Sequence, residues 1–318
     1  MLRGGMPDDS LQSRQRRREA WRRARVEMET GGERSGPTGR HGRYRWNLLK
    51  KLLALFGFGL RVIGLYERGK RNAIDIRLTQ FELAFEDLPP AFDGFRILQL
   101  TDLHVDGLPA TMEAACRIVA EVQADLCALT GDYRYRVSGP HEQILPGMCA
   151  LLDVLRAEQG VLAVLGNHDS AALAESFEAL GIRLLLNETV GLERNGQTIH
   201  LTGTDDVHYF YSEAARDALA EAPAGFKIAL IHSAELADVA ADKGFALYLA
   251  GHTHGGQICL PGGRPILTHM SRFRRYASGL WRHGAMQGYT STGVGVSGLP
   301  VRFNTRGEVV LITLRRRA

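Results

Sequence analysis

Five short segments of this 318-residue chain combine carboxylate, imidazole and amide side chains at spacings that suit metal binding. A mixed set of nitrogen and oxygen donors suits manganese, iron, zinc or cobalt better than magnesium or calcium. The set is large enough for two ions, and two ions about 4 Å apart can clamp a phosphate group and activate water. The motifs therefore predict metal-assisted hydrolysis of a phosphate ester. In chain order they are Asp102-Leu103-His104, Gly131-Asp132, Gly166-Asn167-His168-Asp169, His232 and Gly251-His252-Thr253-His254.

Each of these motifs directly follows a run of residues that is typical of a β-strand. Loops at the carboxyl ends of strands carry the chemistry in α/β folds. We therefore expect the five motifs to meet at one edge of a sheet or a pair of sheets. The preceding runs are Arg96–Leu100, Leu126–Thr130, Val161–Leu165, Lys227–Ile231 and Ala246–Ala250.

The spacing inside the motifs favours convergence on one site. Residues two apart in an extended segment point to the same side, so Asp102 and His104 can reach one ion together, as can His252 and His254. A glycine just before a ligand lets the backbone turn sharply at the end of a strand. Asp132 is the candidate for a carboxylate that bridges two ions.

Each motif taken alone has an ordinary structural explanation. An Asp-x-His segment is commonly a surface turn, and Gly-Asn-His-Asp is a good turn sequence. His232 alone is more typical of a hydrogen-bonded core histidine. Five such groups in this order, each at the end of a strand, favour a metal site over five unrelated turns.

Beyond residue 74 the chain alternates between strand-like and helical patterns. Further strand-like runs are expected at 183–186 and 199–202, and a strand pair or long strand at 74–85. Short strands at 257–260, 289–292 and 309–314 follow the last helix. We expect an α/β (α+β) fold, a four-layer sandwich of two mixed β-sheets flanked by helices. The expected helices are Ala110–Val122, His141–Ala157, Ala171–Leu180, Glu213–Glu221 and Ala234–Ala241.

Charge divides the chain into a basic tail and a nearly neutral body. Residues 1–45 hold 12 arginines and six acidic residues, whereas the rest holds 27 basic and 29 acidic residues. We expect 1–45 to be a basic, mostly disordered tail with a short helix near 14–28, and 70–318 to be the catalytic domain. A neutral body argues against nucleic acid as its substrate. The four cysteines form no CxxC pair, which fits a reducing compartment.

Residues 46–69 connect these two regions and are the most apolar part of the N-terminal region. An uninterrupted apolar run covers only 52–60, which is shorter than the ~20 residues of a spanning helix. We interpret the segment as an amphipathic helix on an anionic membrane surface, with Lys50, Lys51 and Arg61 on its polar side. A signal anchor and a helix packed on the protein's own core are the alternatives. The apolar face comprises Leu48, Leu49, Leu52, Phe56, Leu60 and Ile63.

The five motifs resemble those of the calcineurin-like metallophosphoesterases over residues 96–293. The resemblance implies two divalent metal ions, manganese before iron, zinc or cobalt. It also implies in-line attack on phosphorus by a hydroxide that bridges the ions. The implied ligands are Asp102, His104, Asp132 and His254 for the first ion and Asp132, Asn167, His232 and His252 for the second.

Two catalytic residues that are not ligands follow from the same resemblance. His168 would stabilise the transition state and protonate the leaving oxygen, and Asp169 would orient His168. General acid–base assistance of this kind contributes about 10² to 10⁴ in rate.

Further segments resemble a bacterial membrane-associated branch that includes phosphodiesterases and the UDP-2,3-diacylglucosamine pyrophosphate hydrolases of lipid A biosynthesis. This resemblance implies a lipid-linked substrate such as UDP-2,3-diacylglucosamine and a peripheral place on the cytoplasmic side of the inner membrane. Residues 304–308 depart from the branch, which often has Pro-Glu there. The segments are Leu88-Pro89, Phe92-Asp93-Gly94-Phe95-Arg96, Gly255-Gly256-Gln257 and Leu299-Pro300-Val301-Arg302-Phe303.

Five arginines outside the metal motifs are candidate substrate ligands, because guanidinium groups suit a pyrophosphate. A solvated charged loop is the alternative for all of them. These candidates are Arg134 and Arg136, which we expect on an open loop, and Arg272, Arg274 and Arg275 in a basic and aromatic segment.

Two other functions compete with hydrolysis of a lipid-linked substrate. The first is hydrolysis of other phospholipids, cell-wall polymers or nucleotides, which the metal motifs would equally support. The second is a scaffold of the same fold without catalysis, which usually has an eroded ligand set. Asn167, His168 and every implied ligand are present in this chain.

Overall fold

The computed structural model describes residues 8–31, 35–37, 39–40 and 46–317. Two large β-sheets and helices on their outer faces make up most of this part. Its α-helices are α1 (Asp8–Gly31), α2 (Trp46–Val62), α3 (Tyr66–Ile74), α4 (Pro109–Ala120), α5 (Leu145–Val154), α6 (Leu173–Ala179), α7 (Glu213–Ala220) and α8 (Ala237–Asp242).

The strands are numbered in chain order and form two large sheets and two small ones. Those before residue 165 are β1 (Ser35–Gly36), β2 (Gly39–Arg40), β3 (Arg77–Phe85), β4 (Arg96–Leu100), β5 (Gln123–Ala124), β6 (Leu126–Leu129), β7 (Arg156–Ala157) and β8 (Val161–Ala163). Those after it are β9 (Arg183–Leu184), β10 (Glu188–Arg194), β11 (Gln197–Gly203), β12 (Lys227–Leu230), β13 (Leu247–Ala250), β14 (Gly279–His283), β15 (Met286–Thr290) and β16 (Glu308–Arg316).

Each large sheet has a parallel centre and at least one antiparallel pair. Sheet I has the order β3-β16-β4-β6-β8-β9, in which β16 runs antiparallel to β4 and parallel to β3. Sheet II has the order β10-β11-β12-β13-β15-β14, with antiparallel pairs at both edges. The parallel strands β4, β6 and β8 of sheet I and β12 and β13 of sheet II carry the metal motifs at their carboxyl ends.

Three apolar clusters hold the layers together. One lies between the sheets, where Ile97 and Leu126 of sheet I pack with Ile228 and Leu247 of sheet II. A second lies between sheet I and helices α4, α5 and α6, and a third between sheet II and helices α7 and α8. Burial of apolar area on both faces of each sheet accounts for the continuous apolar runs of its central strands. The expected four-layer fold is therefore confirmed.

Several expected elements differ in their bounds. Residue 74 is the last residue of helix α3, and the strand that we expected to begin there, β3, begins at Arg77. The expected strand at 257–260 is reduced to bridges, with Ile258 paired to Phe303 and Cys259 to Pro265. The expected helix 141–157 begins as a 3₁₀ turn and ends at Val154.

Helix α1 lies in the region that we expected to be mostly disordered. Its residue Arg25 is completely buried, and Arg14 pairs with Glu188 of β10 at 3.0 Å. The short helix expected near 14–28 lies within α1, which is longer than expected, and long-range ion pairs hold this basic helix on the domain. The rest of that expectation falls largely on residues 1–7, 32–34, 38 and 41–45, which lie outside the described residues.

Helix α2 packs on the protein through one side only. Leu60 is buried against Leu299 and Val301, and the Cα of Gly57 lies so close to Leu299 that a Cβ would meet its side chain at 2.7 Å. The predicted apolar face is thus split, since Leu60 faces the protein. The side chains of Leu48, Leu49 and Lys50 lie outside the described residues. The exposed apolar residues of this helix and its end are Leu52, Leu55, Phe56, Phe58, Val62 and Ile63.

No helix among the described residues is long and apolar enough to cross a membrane.

Candidate metal centre

The structure brings the seven predicted ligands together at the edge where the parallel strands of both sheets end. Asp102 and His104 follow β4, Asp132 follows β6, and the remaining ligands follow β8, β12 and β13. All seven side chains are buried. Motifs that are far apart in the sequence thus form one cluster, because the strands that precede them end at the same edge. The remaining ligands are Asn167, His232, His252 and His254.

Five of these seven positions have a backbone conformation that side chains rarely adopt. The φ angles are 51° at Asp102, 41° at His104, 57° at Asp132, 74° at His252 and 52° at His254. A non-glycine residue in this left-handed region stores strain, which persists only when the surrounding structure holds it. Concentration of such strain at the ligand positions indicates that the fold holds these side chains for function.

One group of ligand atoms comes from β4 and β13. Nε2 of His254 lies 3.4 Å from Oδ1 of Asp102 and 3.1 Å from Nε2 of His104. Oδ2 of Asp132 lies 3.8 Å from the same His104 nitrogen. One cation between Asp102, His104 and His254 can contact all three, because their ligand atoms lie within 4.8 Å of one another.

A second group shares Asp132 with the first. Oδ2 of Asp132 lies 3.4 Å from Nε2 of His232, and Oδ1 of Asn167 lies 3.2 Å from that same nitrogen. Oδ1 of Asn167 also lies 2.8 Å from Nδ1 of His252. Asp132 therefore stands between two sets of donors, which is the position that a bridging carboxylate needs.

Several ligand atoms of the cluster are hydrogen-bond acceptors that lack a hydrogen-bond donor, an arrangement that a divalent cation would satisfy. Nε2 of His252 donates to the carbonyl of His269 at 3.0 Å, so its Nδ1 carries a lone pair. That lone pair faces the Asn167 oxygen, which is also an acceptor, and a cation shared by the two atoms would satisfy both. Oδ1 of Asp102 is buried and has no hydrogen-bond partner among the described residues. Both features are expected of a metal site.

Backbone carbonyls also fix the ring orientation of two other histidines. Nδ1 of His104 donates to the carbonyl of Arg134 at 2.6 Å, and Nδ1 of His232 donates to that of Thr130 at 2.7 Å. Each bond leaves Nε2 directed at the cluster. Carbonyl partners of this kind set the tautomer and raise the basicity of ligating histidines.

Burial and neighbouring charges shift the pKa values of the ligands in different directions. Burial raises the pKa of Asp102 to about 6. Burial, together with His168, lowers the pKa of His104 to about 4, so that ring is neutral at pH 7. Burial alone would lower the pKa of His232, but the Asp132 carboxylate raises it to about 10. A metal ion bound there would replace a proton on His232.

Two glycines permit the close approach of the strand-end loops. A Cβ on Gly166 would lie 2.2 Å from Oδ1 of Asp132, and a Cβ on Gly251 would lie 2.3 Å from Oδ2 of Asp102. No real Cβ tolerates such distances. Glycine before the ligand motifs therefore serves to admit the neighbouring carboxylates as well as to turn the chain.

His168 lies beside the cluster, but Asp169 does not orient it. Nε2 of His168 is 3.9 Å from Oδ2 of Asp132, and Nδ1 bonds to the carbonyl of Tyr135 at 2.7 Å. The carboxylate of Asp169 instead accepts from the backbone amides of Asp132 and Gly166, both at 2.8 Å. The predicted role of Asp169 is therefore wrong, since this carboxylate joins the β6 and β8 loops.

Arg134 and Arg136 do not form the open, substrate-facing pair that we expected. Arg134 is buried and donates to the carbonyls of Arg136 and Gly139 and to the hydroxyl of Ser170. Arg136 is exposed and does not line the cavity beside the ligands. The expectation of an open loop around Arg134 is wrong, because its guanidinium is used to hold the loop together.

The later arginines also lie away from the lining of that cavity. Arg272 pairs with Asp238, Arg274 donates to the carbonyl of Met270, and Arg275 contacts the ring of Tyr276. Tyr276 itself stacks on Trp281 with 4.3 Å between ring centroids, inside the cluster behind sheet II. These contacts are structural and give no support to substrate binding.

A cavity of about 300 Å³ opens beside the ligands and has an apolar wall that the motifs do not predict. Its apolar lining includes Leu53 and Phe56 of α2 together with Ile266 and Leu267 of a later loop. Phe56, Ile266 and Leu267 are exposed. The sequence signal for these residues is weak, since it consists of apolar side chains in loops and on the outer side of α2. Polar residues missed in the same lining are Tyr209, Thr253, Gln257, His269 and Ser297.

Comparison with known proteins identifies relatives of this architecture. The metallophosphoesterase YkuE of Bacillus subtilis is 30% identical over 255 residues, which cover 76% of this chain and 86% of YkuE. The phosphodiesterase YaeI of Escherichia coli is 30% identical over 230 residues, which cover 69% of this chain and 82% of YaeI. A transmembrane protein with a metallophosphoesterase domain from Bos taurus is 26% identical over 80% of this chain and 60% of its own length.

The family model for calcineurin-like phosphoesterases matches residues 95–256, a range that contains all five metal motifs. Clustered aspartate and histidine residues can support several metal-dependent reactions, and the match and the relatives together indicate phosphoester hydrolysis. The chain belongs to the calcineurin-like phosphoesterase family and is a metal-dependent phosphoester hydrolase.

Proposed function

We propose that the protein hydrolyses a phosphodiester or pyrophosphate of a lipid-linked substrate with two divalent metal ions, manganese being our first choice. The observation that carries the proposal is an apolar cavity wall directly beside the ligand cluster. Such a wall suits acyl chains, while the cluster suits a phosphate group. UDP-2,3-diacylglucosamine is the specific substrate that we propose to test first.

In this proposal Asp102, His104 and His254 would hold one ion, His232 and His252 would hold the other together with Asn167, and Asp132 would contribute to both sites. The distances between their ligand atoms support the division. When bound, two such ions stabilise charge on the phosphate and supply a nucleophilic hydroxide near neutral pH. In this hydrolysis a water oxygen would form the new bond to phosphorus as the bond to the leaving oxygen breaks.

His168 provides the proton that the leaving oxygen takes. The carbonyl of Tyr135 holds Nδ1–H, so Nε2 is the nitrogen available to the cavity. Donation from Nε2 requires the doubly protonated ring, in which both nitrogens carry hydrogen. The carbonyl that accepts from Nδ1 fixes the ring orientation and therefore the direction of donation.

Apolar residues around the cavity support a substrate whose acyl chains remain in a bilayer. The described side chains of helix α2 and its end include six large, exposed apolar residues, and the cavity-lining residues Ile266 and Leu267 are also exposed. Contiguous exposed apolar surface marks a site for a lipid or protein partner. We propose that this surface docks on the inner face of the cytoplasmic membrane, with Lys51 and Arg61 near anionic headgroups.

The test of catalysis compares three substrates in Mn²⁺, with Asn167→Ala as the blank. UDP-2,3-diacylglucosamine carries acyl chains, UDP-N-acetylglucosamine has the same pyrophosphate without them, and an aryl phosphodiester reports the chemistry alone. We expect the wild type to release UMP from the acylated substrate at least about tenfold faster than from the other sugar nucleotide. Cleavage of the aryl diester alone would keep the hydrolase and overturn the lipid-linked substrate. No turnover of any substrate by metal-loaded protein would favour a scaffold.

The test of docking measures partition of the full chain onto phosphatidylglycerol vesicles. We expect Leu55→Glu/Phe58→Glu to lower the partition coefficient at least about tenfold, because each buried apolar side chain contributes about 1.5–3 kcal/mol. The matched control is Val26→Glu/Leu280→Glu, which changes two exposed apolar residues elsewhere and should leave partition unchanged. Equal partition of both double variants would overturn the docking surface.

A further inference from the structure

Helix α1 contacts the loops of the metal site through a single face. Trp21 donates to Oδ2 of Asp205 at 2.7 Å, and four residues later Arg25 contacts Oδ1 of the same carboxylate. After four more residues, Glu29 accepts from the amide of Ala171 at 2.8 Å. Residues at these intervals lie on one side of a helix, so α1 presents one polar stripe to the site.

Arg25 is the centre of this stripe and is completely buried. Its Nη2 donates to the carbonyl of Asp169 at 2.8 Å and to that of Gly166 at 3.4 Å. Its Nε donates to Glu29 at 3.0 Å, and its guanidinium lies 3.5 Å from the ring centroid of Phe210. Every nitrogen of the side chain therefore has a partner, and one face of the guanidinium lies on an aromatic ring.

The two carbonyls that Arg25 contacts enclose the ligand Asn167 and the proposed acid His168. Both residues lie on the four-residue turn from Gly166 to Asp169. When a loop moves, the side chains that it carries move with it. A displacement of a catalytic group by about 1 Å can lower the rate about 10²-fold. A clamp at both ends of the turn is thus placed to control the two side chains between them.

Arg25 also joins loops that belong to different sheets. Gly166 and Asp169 follow β8 of sheet I, whereas Asp205 follows β11 of sheet II. The loop after Asp205 carries Tyr209, which lines the cavity and whose carbonyl accepts from the amide of Ser35 at 2.9 Å. The N-terminal region therefore contacts loops of both sheets at the site.

We infer that Arg25 is a positioning residue for hydrolysis, through which helix α1 holds the turn of Asn167 and His168 in its working geometry. The inference rests on the proposed function for its kinetic part. Its structural part concerns the turn itself and is measurable without metal or substrate.

The experiment uses the full chain with Arg25→Lys, Arg25→Ala and the control Arg22→Ala. Lysine keeps a charge for Asp205 but cannot also donate to both carbonyls, so Arg25→Lys should fold even if Arg25→Ala does not. Arg22 lies on the same helix, is 55% exposed and pairs with Glu175. For the aryl phosphodiester we expect kcat to fall about tenfold in Arg25→Lys and about 10²-fold in Arg25→Ala. KM should stay within about twofold of wild type in all variants, and kcat should do so in Arg22→Ala.

Hydrogen–deuterium exchange of the metal-free proteins provides the second readout. We expect amides 166–171 to exchange about tenfold faster in Arg25→Lys than in wild type, while those of β16 keep their protection. Wild-type kcat in folded Arg25→Lys would overturn the inference, as would a lower kcat with unchanged exchange at 166–171. If the wild type hydrolyses nothing, the proposed function fails, and exchange alone decides whether α1 holds the turn.

Discussion

The ligand cluster lies at the ends of five parallel strands, whereas helices α1 and α2 reach the same site from outside the sheets. The cluster is built from buried side chains fixed by backbone carbonyls, such as those of Arg134 and Thr130. Helix α1 is attached mainly by ion pairs and α2 by a small apolar contact around Leu60. One region therefore supplies the chemistry, and the other supplies the walls and supports around it.

The contrast shows that the two regions depend on different forces. Buried polar atoms cost free energy when they lose a partner, so the cluster tolerates little change. Exposed ion pairs such as Arg22–Glu175 contribute at most about 1 kcal/mol each, so most of α1 should tolerate substitution. Arg25 is the exception, because it is buried.

The largest expected effect is in the cluster, with Asp132→Ala. Loss of the carboxylate between both sets of donors should lower kcat/KM about 10⁴-fold, since ions stabilise the transition state by several kcal/mol. The control is Glu27→Ala on α1, an exposed carboxylate that should have no effect. Metal content by mass spectrometry and hydrolysis of an aryl phosphodiester check both variants. Equal activity of the two would remove the distinction between the regions.

A second variant separates ligands from catalytic neighbours inside the cluster. His168→Ala should lower kcat about 10²- to 10⁴-fold because the leaving oxygen loses its proton donor. Metal content should stay at the wild-type value, in contrast to Asp132→Ala. Loss of metal from His168→Ala would instead make this residue a ligand, which its 3.9 Å distance from Asp132 permits.

Close packing is the third point of contrast. Gly166→Ala should weaken metal binding about 10- to 100-fold, since the new Cβ would displace the Asp132 carboxylate. Gly59→Ala on helix α2 has no atom within 4 Å of the new Cβ and should be neutral or slightly stabilising. Isothermal calorimetry with Mn²⁺ measures the first effect and thermal unfolding the second. Wild-type affinity in Gly166→Ala would show that the loops are less constrained than their contacts indicate.

The fourth point of contrast is acid stability, for which a buried and an exposed carboxylate are compared. Burial alone would raise the pKa of Glu235, but the hydrogen bond from His208 at 2.9 Å lowers it to about 2 from an ordinary 4.5. A depressed pKa stabilises the fold above pH 4.5, and this contribution is lost as the pH falls towards 2.

The difference in free energy of unfolding between wild type and Glu235→Gln should therefore be constant near pH 7. It should shrink by at most about 3 kcal/mol between pH 4.5 and pH 2. Glu175→Gln, which removes the exposed pair on α1, should change stability by less than about 1 kcal/mol at either pH. Urea unfolding at several pH values measures both. A pH-independent difference for Glu235→Gln would contradict the assigned pKa.

Sequence reasoning predicted the cluster well because its information is local. Each ligand stands within five residues of the end of a strand, and period-two and apolar patterns locate those strands. The same reasoning could not place Arg25, whose partners Asp169 and Asp205 are 144 and 180 residues away. It also misjudged Arg134, because a charged side chain after a ligand gives no local sign that it will be buried. Polar contacts between residues far apart in the chain produce no periodic pattern in the sequence.

Strand β16 lies between β3 and β4 in sheet I, although 207 residues separate the end of β4 from the start of β16. During synthesis at about 5–20 residues per second, β4 therefore waits on the order of 10–40 s for this neighbour. Over that time the nascent sheet presents unpaired backbone groups, which are a template for pairing with other chains. Protection of this edge by a chaperone, or by slow expression at low temperature, should consequently matter more for the yield of soluble protein than the stability of the finished fold.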